Sequence, residues 1–307
     1  MAITVADQNK ALFRRWFEEA WNKGRYEIAS EIVAPGMTVH GAGGQAVKQG
    51  PDGVVELIKT WRTAFPDGQM NTPVIFTEGE LIAALLLWSG THLGDFYGIP
   101  PSGKKVDVMG VGIDRIVDGK IVEGWGEVDM LGLMRQVGAV PPLKRSAPPQ
   151  KAGGRQAAPY KPAQTFRSAP PDNKSVVLQF AEAINGWNMD EMREVVDVET
   201  YIEHSPSWGP VSFEGSIQTY SMFRKSVPNL HFAPDLNLLV GEGEYVATRG
   251  FLTGTHVGAD LFGVPASGKK LDWTGIDISR VINGKIVERW PCADLLRLSQ
   301  QLGIIPA

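Results

Sequence analysis

The chain has 307 residues, with 30 Lys+Arg against 34 Asp+Glu, a formal net charge of −4 at pH 7. That balance argues against a nucleic-acid binder and against a polybasic membrane anchor. With 43% hydrophobic and 21% charged residues the composition is that of an ordinary globular protein, and the length fits two domains. The one cysteine, Cys292, excludes an internal disulfide and a cysteine-based zinc cluster, and five scattered His make no metal set. The longest apolar run, 81–88, falls well short of the ~20 residues of a membrane span and suits a buried strand. The first residues carry no secretory pattern, so a cytoplasmic protein is expected.

In chain order, Leu12, Phe13, Trp16, Phe17, Ala20 and Trp21 form one wide apolar stripe at helical spacing. Shorter helices are predicted over 26–33 and 51–65, then strands over 81–89, 105–117 and 121–125, and a last helix over 130–137. Residues 143–171 hold six prolines, six Lys/Arg and no acid, which reads as a semi-extended basic linker, expected to lie along two acidic bodies. The same order then returns: helices over 176–184, 190–196 and 216–227, strands over 244–253, 270–282 and 286–290, and a helix over 295–302. Asp118-Gly119 and Asn283-Gly284 are strong hairpin signals.

This is a duplication. His40 falls on His204 and Thr91-His92 on Thr255-His256, 164 residues apart. After a one-residue slip, Gly119-Lys120-Ile121-Val122-Glu123 falls on Gly284-Lys285-Ile286-Val287-Glu288, Trp125 on Trp290 and Asp129 on Asp294. Two domains, 1–142 and 172–307, flank the linker. Helices grouped before a hairpin-linked sheet predict an α+β fold, with the helices packed in a curved antiparallel sheet that leaves an apolar pocket.

At Gly90-Thr91-His92-Leu93-Gly94 with Gly98-Ile99-Pro100-Pro101-Ser102-Gly103-Lys104, and again at Gly254-Thr255-His256-Val257-Gly258 with Gly263-Val264-Pro265-Ala266-Ser267-Gly268-Lys269, the chain resembles the SnoaL-like polyketide cyclase (ester cyclase) group of the nuclear transport factor 2-like superfamily. Gly275-Ile276-Asp277, Arg280 and residues 284–290 resemble its hairpin motif. The resemblance implies two tandem cone-shaped α+β barrels. It also implies dimer-like pairing of the two copies inside one chain, further homo-oligomers being open, and cofactor-free acid/base chemistry such as intramolecular aldol cyclisation. The group's catalytic Asp and His positions are Gly126 and Gly112 in the first copy, Pro291 and Asp277 in the second.

Asp277 is therefore the first candidate, as a general base on the strand face it shares with Trp273, Gly275 and Ser279. His256 and His92, each before a Gly-rich loop, read either as proton shuttles or as loop-stabilising residues. His204 and His40 read as pocket lining or turn residues. Asp294 and Asp129 read as catalytic acids or as helix caps. Asp114 is a weaker site in the first copy. Trp273, Trp290, Trp125, Phe223 and Phe262 could line a flat pocket for an aromatic substrate. The expected activity is an acid/base enzyme that makes or breaks a C–C bond or isomerises a hydrophobic carbonyl compound, with the second copy as the active half. The competing readings are a non-catalytic small-molecule binder and a protein-interaction scaffold.

Overall fold

The computed structural model describes residues 3–40, 49–144, 149–153 and 171–306. The chain divides into two compact units, Met1–Pro141 and Pro142–Ala307. Most of the predicted basic linker lies outside the described residues. Its stretch 149–153 bridges onto the second unit, where Lys151 pairs with Val211 and the Ser212 N–H donates to the Gln150 carbonyl.

In the first unit, helix α1 (Val5–Arg15) starts at a Thr4–Asp7 capping box, in which each side chain bonds the other's backbone N–H. It runs on as a π-helical segment, Trp16–Asn22. That wider winding turns Trp16, Phe17, Ala20 and Trp21 into the core together. The predicted helix over 26–33 is a 3-10 turn, Tyr26–Ile28, followed by α2 (Ala29–Ile32). After it come β1 (Val33–His40), α3 (Gly50–Ala64), β2 (Gln69–Glu78), β3 (Leu81–Thr91), β4 (Lys105–Val117), β5 (Lys120–Val128) and α4 (Met130–Val137). The second unit repeats the pattern with α5 (Pro171–Gly186), α6 (Met189–Val195), β6 (Ile202–Ser205), β7 (Gly209–Val211), α7 (Phe213–Ser226), β8 (His231–Glu242), β9 (Tyr245–Thr255), β10 (Lys270–Ile282), β11 (Lys285–Ala293) and α8 (Leu295–Leu302).

The sheets run β1-β5-β4-β3-β2 and β7-β6-β11-β10-β9-β8. They are mixed rather than antiparallel throughout, because β1 pairs parallel with β5 and β6 parallel with β11. The strands β2 and β8, absent from the sequence expectation, contain Pro73 and Pro234, and each breaks register beside its proline. The two hairpins turn where predicted: Asp118-Gly119 and Asn283-Gly284 all have positive φ, as a type I′ turn requires.

One irregularity decides what the sheets present. After the Asn283-Gly284 turn, Ile282 faces Lys285 and Val281 faces Ile286, but Arg280 then faces Glu288. A one-residue bulge at Val287 has shifted the pairing. Beyond it Ile278 faces Trp290 and Ser279 faces Arg289. The first unit has the same shift, Ile116 facing Ile121 and Arg115 facing Glu123.

The Gly-rich loops pack directly on helix ends. A Cβ on Gly258 would stand 1.9 Å from the Lys225 backbone carbonyl oxygen. Gly258→Ala should therefore cost about 1–3 kcal/mol, read as a lower urea midpoint with an unchanged slope.

Candidate active site

In the second unit Asp277, Arg289 and Glu203 share the sheet face that looks toward the helices. Arg289 Nη2 donates to Asp277 Oδ2 at 2.7 Å. Its Nη1 donates to the Tyr220 hydroxyl at 2.6 Å and to Glu203 Oε2 at 3.3 Å. The Tyr201 hydroxyl donates to Glu203 at 2.9 Å, and the Tyr220 hydroxyl also donates to Glu203. The guanidinium lies 4.7 Å from the centre of the Phe180 ring of α5. Arg289 and Glu203 are buried, whereas Asp277 keeps 22% of its side-chain surface. Asp277 is thus the most reachable carboxyl of the cluster.

Burial pushes the Asp277 carboxyl above the usual carboxylate range, against the opposing pull of Arg289; the Glu203 charge adds to the rise. Burial likewise holds the Tyr220 and Tyr201 phenols protonated. At this cluster two buried hydrogen-bonding groups have no partner among the described residues: Arg289 Nε, and the Oγ1 of Thr248, which lies directly across from Asp277 on β9. On the same inner face Trp273 meets Phe223 at 6.2 Å, and Phe223 meets Phe262 at 5.7 Å. Asp277 and this aromatic set are thus brought to one side of the sheet.

Other expectations need correction. Trp290 faces Ile278, so it lies on the opposite face from Asp277. His204 stacks on it there at 5.0 Å and bonds Glu288 at 2.8 Å. His40 stacks on Trp125 at 5.3 Å and bonds Glu123 at 2.9 Å in the same way. These four residues are outer-face pairs and line no inner chamber. His256 is fully buried with both ring nitrogens engaged, Nδ1 with Ser267 Oγ and Nε2 with the Ala259 carbonyl, each at 3.1 Å. It ties its loop together. His92 does so through Ser102, whose N–H donates to Nδ1, and burial lowers its proton affinity. Asp294 and Asp129 cap α8 and α4, accepting from the Arg297 and Gly132 N–H groups at 2.9 Å.

Sequence reasoning missed Arg289, Glu203, Tyr220 and Tyr201 as site residues. The alternation of β10 finds Asp277, but only the bulge places Arg289 beside it.

The first unit replaces the whole cluster. Gly112 stands for Asp277, Gly124 for Arg289, Val39 for Glu203 and Met37 for Tyr201. Ile58 stands for Tyr220 when α3 and α7 are aligned on Trp61 and Phe223, whose carbonyls accept the last bond of each helix. The one carboxyl on that inner face of β4 is Asp114, at the position of Ser279. It has no ion pair among the described residues, and burial alone pushes it up to about 7. No group of three or more His, Cys, Asp or Glu suited to a metal ion occurs among the described residues.

Two helix-lined sheets thus each carry an ionisable group on the inner face. The SnoaL-like polyketide cyclase family model matches residues 11–137 and again 174–302, and the chain belongs to that family. The chain is 28% identical over 120 residues to nogalonic acid methyl ester cyclase of Streptomyces nogalater, spanning 39% of this chain and 90% of that one. It is 28% identical over 126 residues to aklanonic acid methyl ester cyclase DnrD of Streptomyces peucetius, spanning 39% and 84%. The structure of TsrD from Streptomyces laurentii superposes with a TM-score of 0.40 at 28% identity, covering 43% of this chain and 96% of that one.

The raised proton affinity of Asp114 has a sign that can be checked. The folded protein keeps a proton that the unfolded chain releases above about pH 4. Folding therefore loses stability as pH rises toward about 7, and the loss is constant above that. Asp114→Asn should melt higher than the parent, by a margin that widens from about pH 4 to 7 and then levels. A pH-independent margin would mean that the carboxyl is not secluded.

Proposed function

We propose that the second unit is a cofactor-independent acid/base catalyst that closes a ring by intramolecular aldol reaction on a hydrophobic, polyketide-like carbonyl compound. The observation that carries this reading is the Asp277–Arg289 pair, enclosed beside Tyr220 with Arg289 Nε and Thr248 Oγ1 still free to bond.

The chemistry needs a base and a donor to the developing oxyanion. The Asp277 carboxylate takes a proton from carbon next to a carbonyl group. The electron pair of that C–H bond forms the enolate, which attacks a second carbonyl carbon of the same molecule. The π pair of that carbonyl moves onto its oxygen. The resulting alkoxide takes back the proton held by Asp277, so the product is an isomer of the substrate and no oxidant is consumed. Arg289 and the protonated Tyr220 hydroxyl stabilise negative charge on oxygen through both halves. Seclusion makes the carboxylate a stronger base than one in water, while Arg289 favours its ionised form. Trp273, Phe223 and Phe262 supply the flat apolar wall. The reverse sequence is a retro-aldol cleavage on the same groups, and return of the proton to another carbon is an isomerisation.

The names of the two relatives give the compounds to try first, nogalonic and aklanonic acid methyl esters. With a substrate that turns over, Asp277→Asn should lower kcat by about 10²- to 10⁴-fold while circular dichroism stays that of the parent. An Asn variant with parental kcat would overturn the assignment.

A further inference from the structure

The inner face of the first unit is a different kind of site. Gly110 and Gly112 on β4 and Gly124 and Gly126 on β5 all lie on it, because Gly112 pairs with Gly126 and Asp114 with Gly124. Four backbone positions in two adjacent strands thus project no side chain toward the helices. A Cβ added to Gly126 would meet nothing within 4 Å. One added to Gly124 would stand 2.5 Å from Asp114 Oδ1, so the Asp114 carboxyl occupies the space above that glycine.

The surroundings of Asp114 are apolar. On the inner faces of β3 and β1 its neighbours are Ile82, Leu86, Met37 and Val39, and Ile58 of α3 takes the place of the tyrosine. The titratable groups of β5 nearest to it, Glu123 and Glu127, pair with Arg115 and Val111 and so lie on the other face of the sheet; Asp129, just beyond the strand, is spent on capping α4. Arg115 points to the other face, over Trp125. Asp114 nevertheless retains accessible surface.

We propose that the first unit holds a second acid/base site, in which Asp114 moves a proton at carbon next to the carbonyl of a neutral, apolar ketone seated over the floor of Gly112, Gly124 and Gly126. Among the described residues no cation pairs with Asp114, which distinguishes its ligand from the oxygen-rich one that Arg289 suits. A lone carboxyl in apolar surroundings exchanges protons near neutral pH, where acid and base forms are both available. In the elementary step the carboxylate takes the proton and the C–H electron pair becomes the enolate. Return of a proton from the carboxylic acid restores the ketone, so nothing else is consumed. This stands apart from the reading of the second unit and does not need it.

The probe is 2-tetralone, a neutral bicyclic ketone, with its C–H to C–D exchange in D2O followed by proton NMR in the presence of the full chain. The parent should exchange the ketone faster than buffer alone, with a rate that rises through a midpoint near 7. Asp114→Asn should reduce the protein-dependent rate by at least about tenfold. Gly126→Leu fills the open floor without touching the carboxyl and should reduce it to a similar extent, with a parental melting curve. Absence of protein-dependent exchange in the parent would overturn the proposal. So would parental rates in both variants, which would place any exchange in the second unit.

Discussion

A guanidinium removed from water must be compensated where it stands, and the inner face of the second unit is organised around that requirement. Arg289 is met by Asp277, Glu203, the Tyr220 hydroxyl and the Phe180 ring. Removing one partner from a buried pair typically costs about 3–5 kcal/mol, because the remaining charge is stranded. The cluster therefore persists as a set or disappears as a set. Burial is the main reason why Asp277, the most reachable carboxyl of the cluster, binds its proton more tightly than one in water; Arg289 opposes the effect and the Glu203 charge adds to it.

The first unit shows the other outcome. All five positions of the cluster carry glycine or an apolar residue, and the carboxyl has moved two places along the strand to Asp114. The scaffold is unchanged: the same hairpin bulge, the same outer-face His–Trp–Glu arrangement, the same capped last helix. What differs is chemistry on one surface of two strands. One fold thus carries two electrostatic environments within a single chain, which fits the general separation of fold from function.

Much of this was legible in the sequence. The duplication, the hairpins at Asp118-Gly119 and Asn283-Gly284, the apolar stripe of the first helix and the inward Asp277 all follow from spacing and turn chemistry. The strands β2 and β8 were not, since Pro73 and Pro234 break the alternation that marks a strand. The site was half legible for a specific reason. Counting back from a regular two-residue turn puts Trp290 across from Asp277; the bulge at Val287 puts Arg289 on that face and sends Trp290, with His204, to the other. A bulge leaves no compositional mark here. The two loop histidines misled in another way. Their place before a glycine-rich loop suits a pocket mouth, but both rings are fully buried: His256 bonds Ser267 and the Ala259 carbonyl, and His92 bonds Ser102 through Nδ1.

The clearance above Gly124 also limits how the two halves could have drifted apart. A Cβ at Gly124 would stand 2.5 Å from Asp114 Oδ1, so the stem of an arginine there would require the Asp114 carboxyl to swing aside. From an ancestor bearing the arginine, the path free of that clash gives up the long cation before the relocated acid arrives; from one bearing the acid, the order is reversed. Either way, the intermediate that avoids the clash carries neither side chain.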